Sequence, residues 1–348
     1  MHCKFSVDDL SKFTRSSRAN MSEYKAYSKM LIDVQSLLER SAPSFETYHP
    51  WIASVSASEL PEEYANELKE YREKPFLSLE KTKLHEGTMV RIPINNKPQM
   101  FTIRKLFVDD PSYGCSGIVL ETDKLTFVVF RSATHTSTFM KVGASSLLQS
   151  PKILAPGVQC NAYLGNHYNK HFSAPLAAIL QSQPDKQVLF LGYSMGAALG
   201  QLAMYDMIVR RGIPLRQKHL FLASPRMANH LFYEHLSARG VRIRNIVAAT
   251  RLKGDVYLDP VPLLRGFSDP PVIYLLGQLF EPGISWHGGV VPTAGTKLNV
   301  IETSDAFKDH FKCHAVSILS SYMQTAFGES SMDLHGSYCV LVCNGTLI

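Results

Sequence analysis

The chain contains no apolar run of about 18 residues, so no membrane-crossing helix is expected. Its opening stretch, MHCKFSVDDLSKFTRSSR, has no apolar centre of the kind a secretory leader needs, and export by that route is not expected. Dense blocks of Lys or Arg are missing. A net charge of +6 over 348 residues points away from nucleic acid and allows only a weak pull toward an anionic lipid surface; an ordinary solvated mixed-charge surface is the plainer reading. Repeats and low-complexity segments are absent. Six cysteines (Cys3, Cys115, Cys160, Cys313, Cys339, Cys343) lie scattered without a framework spacing and read as free thiols. The sequons at Asn20 and Asn344 matter only for an exported chain. Asp309, His310, Cys313 and His314 fall at helical spacing. With no second Cys/His pair nearby they read as the polar start of a helix, so neither metal nor another cofactor is expected. From these absences the chain is expected in the cytoplasm or on the periphery of membranes.

What is present is ample material for a core, 45% apolar residues, enough for one large domain or two. Residues 1–86 are polar and helical in character. Tyr27, Met30, Leu31, Val34, Leu37 and Leu38 mark one apolar helix face behind a capping stretch at Asn20–Glu23. A second helix fits 59–74, whose glutamates Glu59, Glu62, Glu63, Glu67 and Glu70 read as a solvated face. From residue 87 the pattern changes to strands, at 88–94, 100–108, 115–121 and 125–131, the last two joined by a hairpin turn at 121–124. A polar loop opens at Arg131–Thr136. The stretch after it, with Phe139, Met140, Val142, Leu147 and Leu148, reads as a surface loop or an amphipathic cover. A helix is predicted over 166–181, a strand over 218–223, a helix over 229–239 capped by Asn229 and stopped by Gly240, and a strand over 241–250. Alternating strands and helices predict an α/β fold, a mostly parallel central sheet flanked by helices. The chain divides into a helical N-terminal extension (1–86), the α/β unit (87–327) and a tail (328–348).

The most informative stretch is 187–211, QVLFLGYSMGAALGQLAMYDMIVRR. A buried strand runs into Gly192-Tyr193-Ser194-Met195-Gly196 and then into an apolar helix, the context a nucleophile elbow requires. The tight turn exposes a strained serine at a helix N-terminus, where unpaired N–H groups favour developing negative charge. Arg210, Arg211, Gly212 and Pro214 supply the helix stop. On this fold the site belongs at the carboxyl ends of the strands. A serine nucleophile needs a base, and the base an orienting carboxylate, in the chain order Ser, Asp or Glu, His. Asp255 and Asp259, after the 241–250 strand, are the two acids in position. His287, His310 and His314 are the possible bases.

An ordered series of segments resembles the class 3 lipases, the fungal-type triacylglycerol lipase family of the α/β-hydrolases. The resemblance runs over 114–327. Phe127–Ala133 resembles the family strand ending Arg-Gly-Thr/Ser, Val188–Ala203 the G-H-S-L-G-G-A-L-A elbow, and Phe221–Asn229 the F-G-S-P-R-V-G-N segment. Asp259-Pro260-Val261-Pro262 resembles the D-P-V-P that carries the catalytic aspartate, and His314 with Tyr322 the late H…Y element. The resemblance implies Ser194, Asp259 and His314 as the catalytic triad. Asp255 is then the alternative acid, and His310 the alternative base, because Asp309-His310 matches a D-H form seen in some members. His287 matches a non-catalytic loop histidine.

The resemblance further implies an oxyanion hole made by the backbone N–H groups of Met195 and Ala133. Departures from the family include Tyr193 for histidine, Ala197 for glycine, and Ser132-Ala133 for Gly-Thr or Gly-Ser. The last keeps the backbone N–H and lacks the hydroxyl, unless Ser132 or Thr134 substitutes in a shifted register. Implied are a lipid ester substrate (acylglycerol or phospholipid sn-1 ester), transient contact with a membrane or lipid-droplet surface, a lid after Thr134, and an acyl pocket or plain core at 272–280. Two other readings remain: a short-chain esterase or thioesterase on the same fold, and a catalytically weak lipid-binding relative.

Overall fold

The computed structural model describes residues 84–94, 97–109, 115–133, 149–241, 243–252, 255–258, 267, 272–276 and 341–343. It also describes Tyr27, Met30, Leu31, Val34, Gln35, Leu37 and Leu38 of an N-terminal helix, and Lys141, Val142 and Ser145 of another. The strands are β1 (Met89–Ile94), β2 (Lys97–Phe107), β3 (Gly117–Glu121), β4 (Leu125–Phe130), β5 (Lys152–Ala155) and β6 (Val158–Cys160). They continue with β7 (Gln187–Tyr193), β8 (Arg216–Leu222), β9 (Arg244–Leu252), β10 (Asp255–Leu258), β11 (Val272–Leu276) and β12 (Leu341–Cys343). Between them run α1 (Ala162–His171), α2 (Ser173–Gln181), α3 (Met195–Met204), a π-helical turn (Tyr205–Arg210) and α4 (His230–Ala238).

Ten strands form one sheet in the order β1-β2-β3-β4-β7-β8-β9-β11-β12, with β10 paired to β9. The sheet is more evenly mixed than the predicted, mostly parallel one. β4, β7, β8, β9 and β11 are parallel, whereas β1–β4, β9–β10 and β11–β12 pair antiparallel. The physical reason is connection length. Tight turns such as Thr122 N–H to Leu125 C=O at 2.9 Å can only reverse the chain, and β4→β7, β7→β8 and β8→β9 become parallel where helices intervene.

The central strands are apolar on both faces, and alternate residues serve two cores. Val128, Phe130, Val188 and Phe190 join the cluster filled by Leu164, Tyr168, Leu176, Leu199 and Phe232 of α1–α4. Phe127, Val129, Leu189 and Leu191 face the other side, which Met30, Leu31, Val34 and Leu38 cover. These four N-terminal helix residues are 0% exposed. The helical spacing read at 27–38 therefore shares a core with the sheet of the α/β unit.

Several elements differ from the sequence reading. The helix predicted over 166–181 begins at Ala162, because the Asn161 side chain accepts from Leu164 N–H at 3.1 Å, and it breaks at Phe172. Pro175 has no N–H to give His171 C=O, four residues back, and is accommodated in the first turn of α2. Asn229 stands at the N-cap of α4 but does not cap it. Its side chain is spent on the unforeseen β5–β6 hairpin, accepting from Gln159 N–H and donating to Gly157 C=O. The apolar run at 272–280 contributes β11 to the sheet, and β12 from the tail pairs with it. Gly212 and Gly240 take positive φ, 63° and 76°, at the helix stops expected of them.

The 20–23 cap, the 59–74 helix, the turn at Asp259–Pro262 and His287, His310 and His314 lie outside the described residues. Among those described, no helix is long and apolar enough to cross a membrane, and Cys115 and Cys160 are free and buried.

Because the N-terminal helix and the sheet share one core, Leu31→Ala should lower the stability of the whole unit by about 2–5 kcal/mol. Urea melts followed by far-UV dichroism and by tyrosine fluorescence should shift together. A separate early transition, with the main one unmoved, would contradict a shared core.

Candidate active site

Ser194 sits where β7 leaves the sheet and α3 begins. Its φ of 54° and ψ of −126° put a non-glycine residue in a region that L side chains avoid, at a cost of about 1–2 kcal/mol. The surroundings over-determine that conformation. Ser194 N–H donates to Leu222 C=O at 2.9 Å, and Ser194 C=O accepts from Ala197 and Ala198 N–H at 3.0 and 3.3 Å. The two elbow glycines are needed for close approach. A Cβ on Gly192 would run into the Gly196 carbonyl and lie 2.6 Å from Ala197 Cα. One on Gly196 would run into the Phe130 carbonyl oxygen and lie 2.9 Å from the Arg131 oxygen. One turn on, a Cβ on Gly200 would meet the Phe221 ring at 2.5 Å. The absence of these three side chains lets α3 lie directly on the ends of β4 and β8.

That contact brings together three of the residues singled out by sequence. Ser194, Met195 and Ala133 come from the elbow and from the end of the neighbouring strand β4, and all are buried, at 5%, 6% and 7% exposure. Met195 is the first residue of α3, and its backbone N–H meets no acceptor among the described residues, as expected of a first-turn helical donor. Ser194 and Ala133 both make further contacts. Asp255 opens β10, where it pairs across the hairpin with Leu252. Asp259, His310 and His314 fall outside the described residues, so Ser194, Met195 and Ala133 are the members of the predicted site whose positions are described.

The structure adds polar residues that the sequence reading passed over. Gln201, 0% exposed on the inner face of α3, donates to Ser224 Oγ at 2.7 Å and accepts from Tyr233 OH at 3.2 Å. Asn245 of β9 accepts from Ser224 N–H at 2.9 Å and donates back to Ser224 C=O at 3.0 Å. This network clamps the turn after β8, one residue beyond Ala223, whose φ is 50°. Ala223 stands where the F-G-S-P motif carries glycine, and the left-handed backbone explains that glycine. A second addition is Gln35 of the N-terminal helix. Its Nε2 donates to Phe130 C=O at 2.7 Å, and its Oε1 accepts from Ser132 N–H at 3.0 Å. In both cases a signal existed: a glutamine inside an otherwise apolar helix stripe, beside Val34 and Leu38 or within MGAALGQLAM.

Asp109 Oδ2 and His167 Nε2 lie 3.2 Å apart. Burial alone would raise the Asp109 carboxyl, but His167 close by and the charge of Arg131 bring it down to about 2. Among the described residues no group of three potential metal ligands forms.

A family model described as Lipase (class 3) matches residues 127–255. No curated protein sequence matches the chain. Among solved structures it is similar to the triacylglyceride lipase of Rhizomucor miehei (20% identity over 51% of this chain and 66% of that one, TM-score 0.42). It is also similar to a lipase from Rhizopus microsporus var. chinensis (19%, 65% and 72%, 0.41) and to lipase II from Rhizopus niveus (18%, 65% and 78%, 0.42). The chain spans just under two thirds of the R. miehei lipase.

The lowered Asp109 value sets a sign. A carboxyl whose folded value lies below its usual 3.8 adds stability that is present above that value and is lost as pH falls toward about 2. Urea midpoints measured from pH 5 to pH 2 should therefore fall more steeply for the unmodified chain than for Asp109→Asn; parallel slopes would contradict the pairing.

Proposed function

Because residues 127–255 match a class 3 lipase family model, we propose that the chain is a serine hydrolase of lipid carboxylic esters, of acylglycerol lipase or phospholipase A1 type. The observation that carries the reading is the strained, non-glycine φ of Ser194 at a strand-to-helix turn, next to the Met195 N–H, which meets no acceptor among the described residues. A structural turn has no use for a strained serine there, since glycine would adopt that φ at lower cost. A nucleophile does, because the conformation holds Oγ at the helix N-terminus.

In the proposed reaction His314, oriented by Asp259, takes the proton from Ser194 Oγ as the oxygen attacks the ester carbonyl. The tetrahedral oxyanion is held by the N–H groups of Met195 and Ala133. His314 then protonates the leaving alcohol, and water, deprotonated by the same histidine, releases the acid from the acyl-enzyme. Asp259 follows β10 directly in the chain, the position for an orienting acid on this fold. Ser194 is only 5% exposed, which supports an entrance that opens on meeting a lipid surface, with the stretch after Thr134 as the lid. Val142 and Ser145 of that stretch are tied to α1. Val142 C=O accepts from Asn161 Nδ2 at 3.1 Å, and Ser145 Oγ from Tyr163 N–H at 3.0 Å.

The test is labelling with a fluorophosphonate, followed by turnover of esters of graded chain length, as monomers and as emulsions. The unmodified chain should label, and Ser194→Ala should not. His314→Ala should lose roughly 10³-fold or more in turnover while His310→Ala loses little. Labelling that survives Ser194→Ala would place the nucleophile elsewhere, and turnover confined to short soluble esters would remove the lipid specificity.

Ala133 offers an N–H but no hydroxyl, and one oxyanion donor is worth about 10²–10³ in turnover. Ala133→Ser should therefore raise kcat by about tenfold with KM little changed, read on a soluble nitrophenyl ester. A fall in kcat would show that the loop holds its donor without room or need for a hydroxyl.

A further inference from the structure

The ladder between β4 and β7 ends at Phe130 opposite Gly192, because β7 turns out of the sheet into the elbow. In an extended strand the carbonyl of one residue and the N–H two residues on point to the same side. Phe130 C=O belongs to that last pair, and past it Ser132 N–H, on the same side, faces the place the elbow has vacated. Arg131 N–H faces the other way and donates to Ser116 C=O at 2.9 Å. A backbone N–H left unpaired in this buried place would cost about 1–3 kcal/mol.

Gln35 fills the vacancy. Its amide donates to Phe130 C=O at 2.7 Å and accepts from Ser132 N–H at 3.0 Å, as the next peptide of a neighbouring strand would. The side chain is 2% exposed. The helix that carries it is held by Met30, Leu31, Val34 and Leu38 in the core under the sheet, so the amide cannot withdraw without opening that core. The Phe130 and Arg131 carbonyls also bear on Gly196 of the elbow. The strand end that leads into Ala133 is thus gripped between the N-terminal helix and the nucleophile turn.

We propose that Gln35 is a positioning residue of the oxyanion hole. By pairing both backbone groups that flank Arg131, it fixes the peptide from which the Ala133 N–H projects. Ser132 N–H is committed to Gln35, so the donor's part falls to Ala133. The proposal rests on the serine hydrolase reading and adds that the N-terminal segment supplies part of the catalytic geometry.

The test uses the purified full chain. Fluorophosphonate labelling of the unmodified chain comes first; its absence would remove the hydrolase reading and this proposal with it. Kinetics on a soluble ester and thermal melts then compare Gln35→Leu, Gln35→Glu and Val34→Ala. Val34→Ala loosens the same helix without touching the β4 backbone. Gln35→Leu should lose about ten- to hundredfold in kcat, with KM within about twofold, the size of effect expected when a catalytic donor is displaced by a fraction of an ångström. Val34→Ala, with a comparable drop in melting temperature, should keep its kcat.

A carboxylate at position 35 cannot donate to Phe130 C=O, whereas the protonated acid can donate and accept as the amide does. Burial raises the acid's titration range. The kcat of Gln35→Glu relative to the unmodified chain should consequently climb as pH is lowered from 8 to 5. The proposal is overturned if labelling proceeds and Gln35→Leu keeps its kcat. It is overturned equally if Val34→Ala loses as much kcat as Gln35→Leu, or if the relative kcat of Gln35→Glu is flat with pH.

Discussion

The close approach of Gly196 to the Phe130 and Arg131 carbonyls is the contact on which the site depends. It lets the first turn of α3 lie against the end of β4, and so brings Ser194, the Met195 N–H and Ala133 together. A single methyl group at Gly196 would push them apart. The same turn ends the β4–β7 ladder at Phe130 and leaves the Ser132 N–H beyond it without a strand partner. The strained Ser194 and the Gln35 amide are two consequences of one geometric choice: one residue turns outward, and another is drawn in to pair what was exposed.

The rest of the described structure supports that choice from both faces of the sheet. Above it, α1–α4 cover the core around Phe130 and Phe190. A buried carboxylate, Asp206, accepts from Tyr168 and Ser173 hydroxyls and pairs with Arg210 and Arg211, which ties α1 and α2 to the end of the nucleophile helix. Below it, the N-terminal helix closes the second core. Between the two, Gln201, Ser224 and Asn245 hold the turn after β8, whose Leu222 carbonyl receives the Ser194 N–H. Buried networks with every member paired are costly to disturb and hold one geometry, which suits a site that must keep donors aimed at a reacting carbonyl.

The oxyanion side is where this chain is most its own. Where the family it resembles carries Gly-Thr or Gly-Ser this chain carries Ser132-Ala133, so the oxyanion hole we propose is built from backbone donors alone. Backbone donors are only as good as the backbone is fixed, and here fixation comes from a side chain nearly a hundred residues away in sequence, a separation of 97 positions. A serine hydroxyl that can rotate tolerates some looseness; a peptide N–H does not.

The sequence by itself determined the elements whose code is local. The elbow was legible because strand, glycine pair and helix are adjacent in the chain. The alternation of apolar residues announced buried strands, and helix stops at Gly212 and Gly240 followed from a φ that glycine adopts freely. Even the N-terminal helix face was readable from its spacing. The α/β class was legible as well, but the evenly mixed sheet was not, since strand direction follows from which connections contain helices. Asn229 and Gln35 show the limit most clearly. Both are amides whose local context suggests a cap or a solvated helix residue, and both are used to pair backbone groups of distant segments. Only tertiary structure decides such partners, because which carbonyls and N–H groups are left over is known only once the strands have been laid side by side. For the same reason the elbow could be named from the sequence, while what holds its oxyanion strand could not.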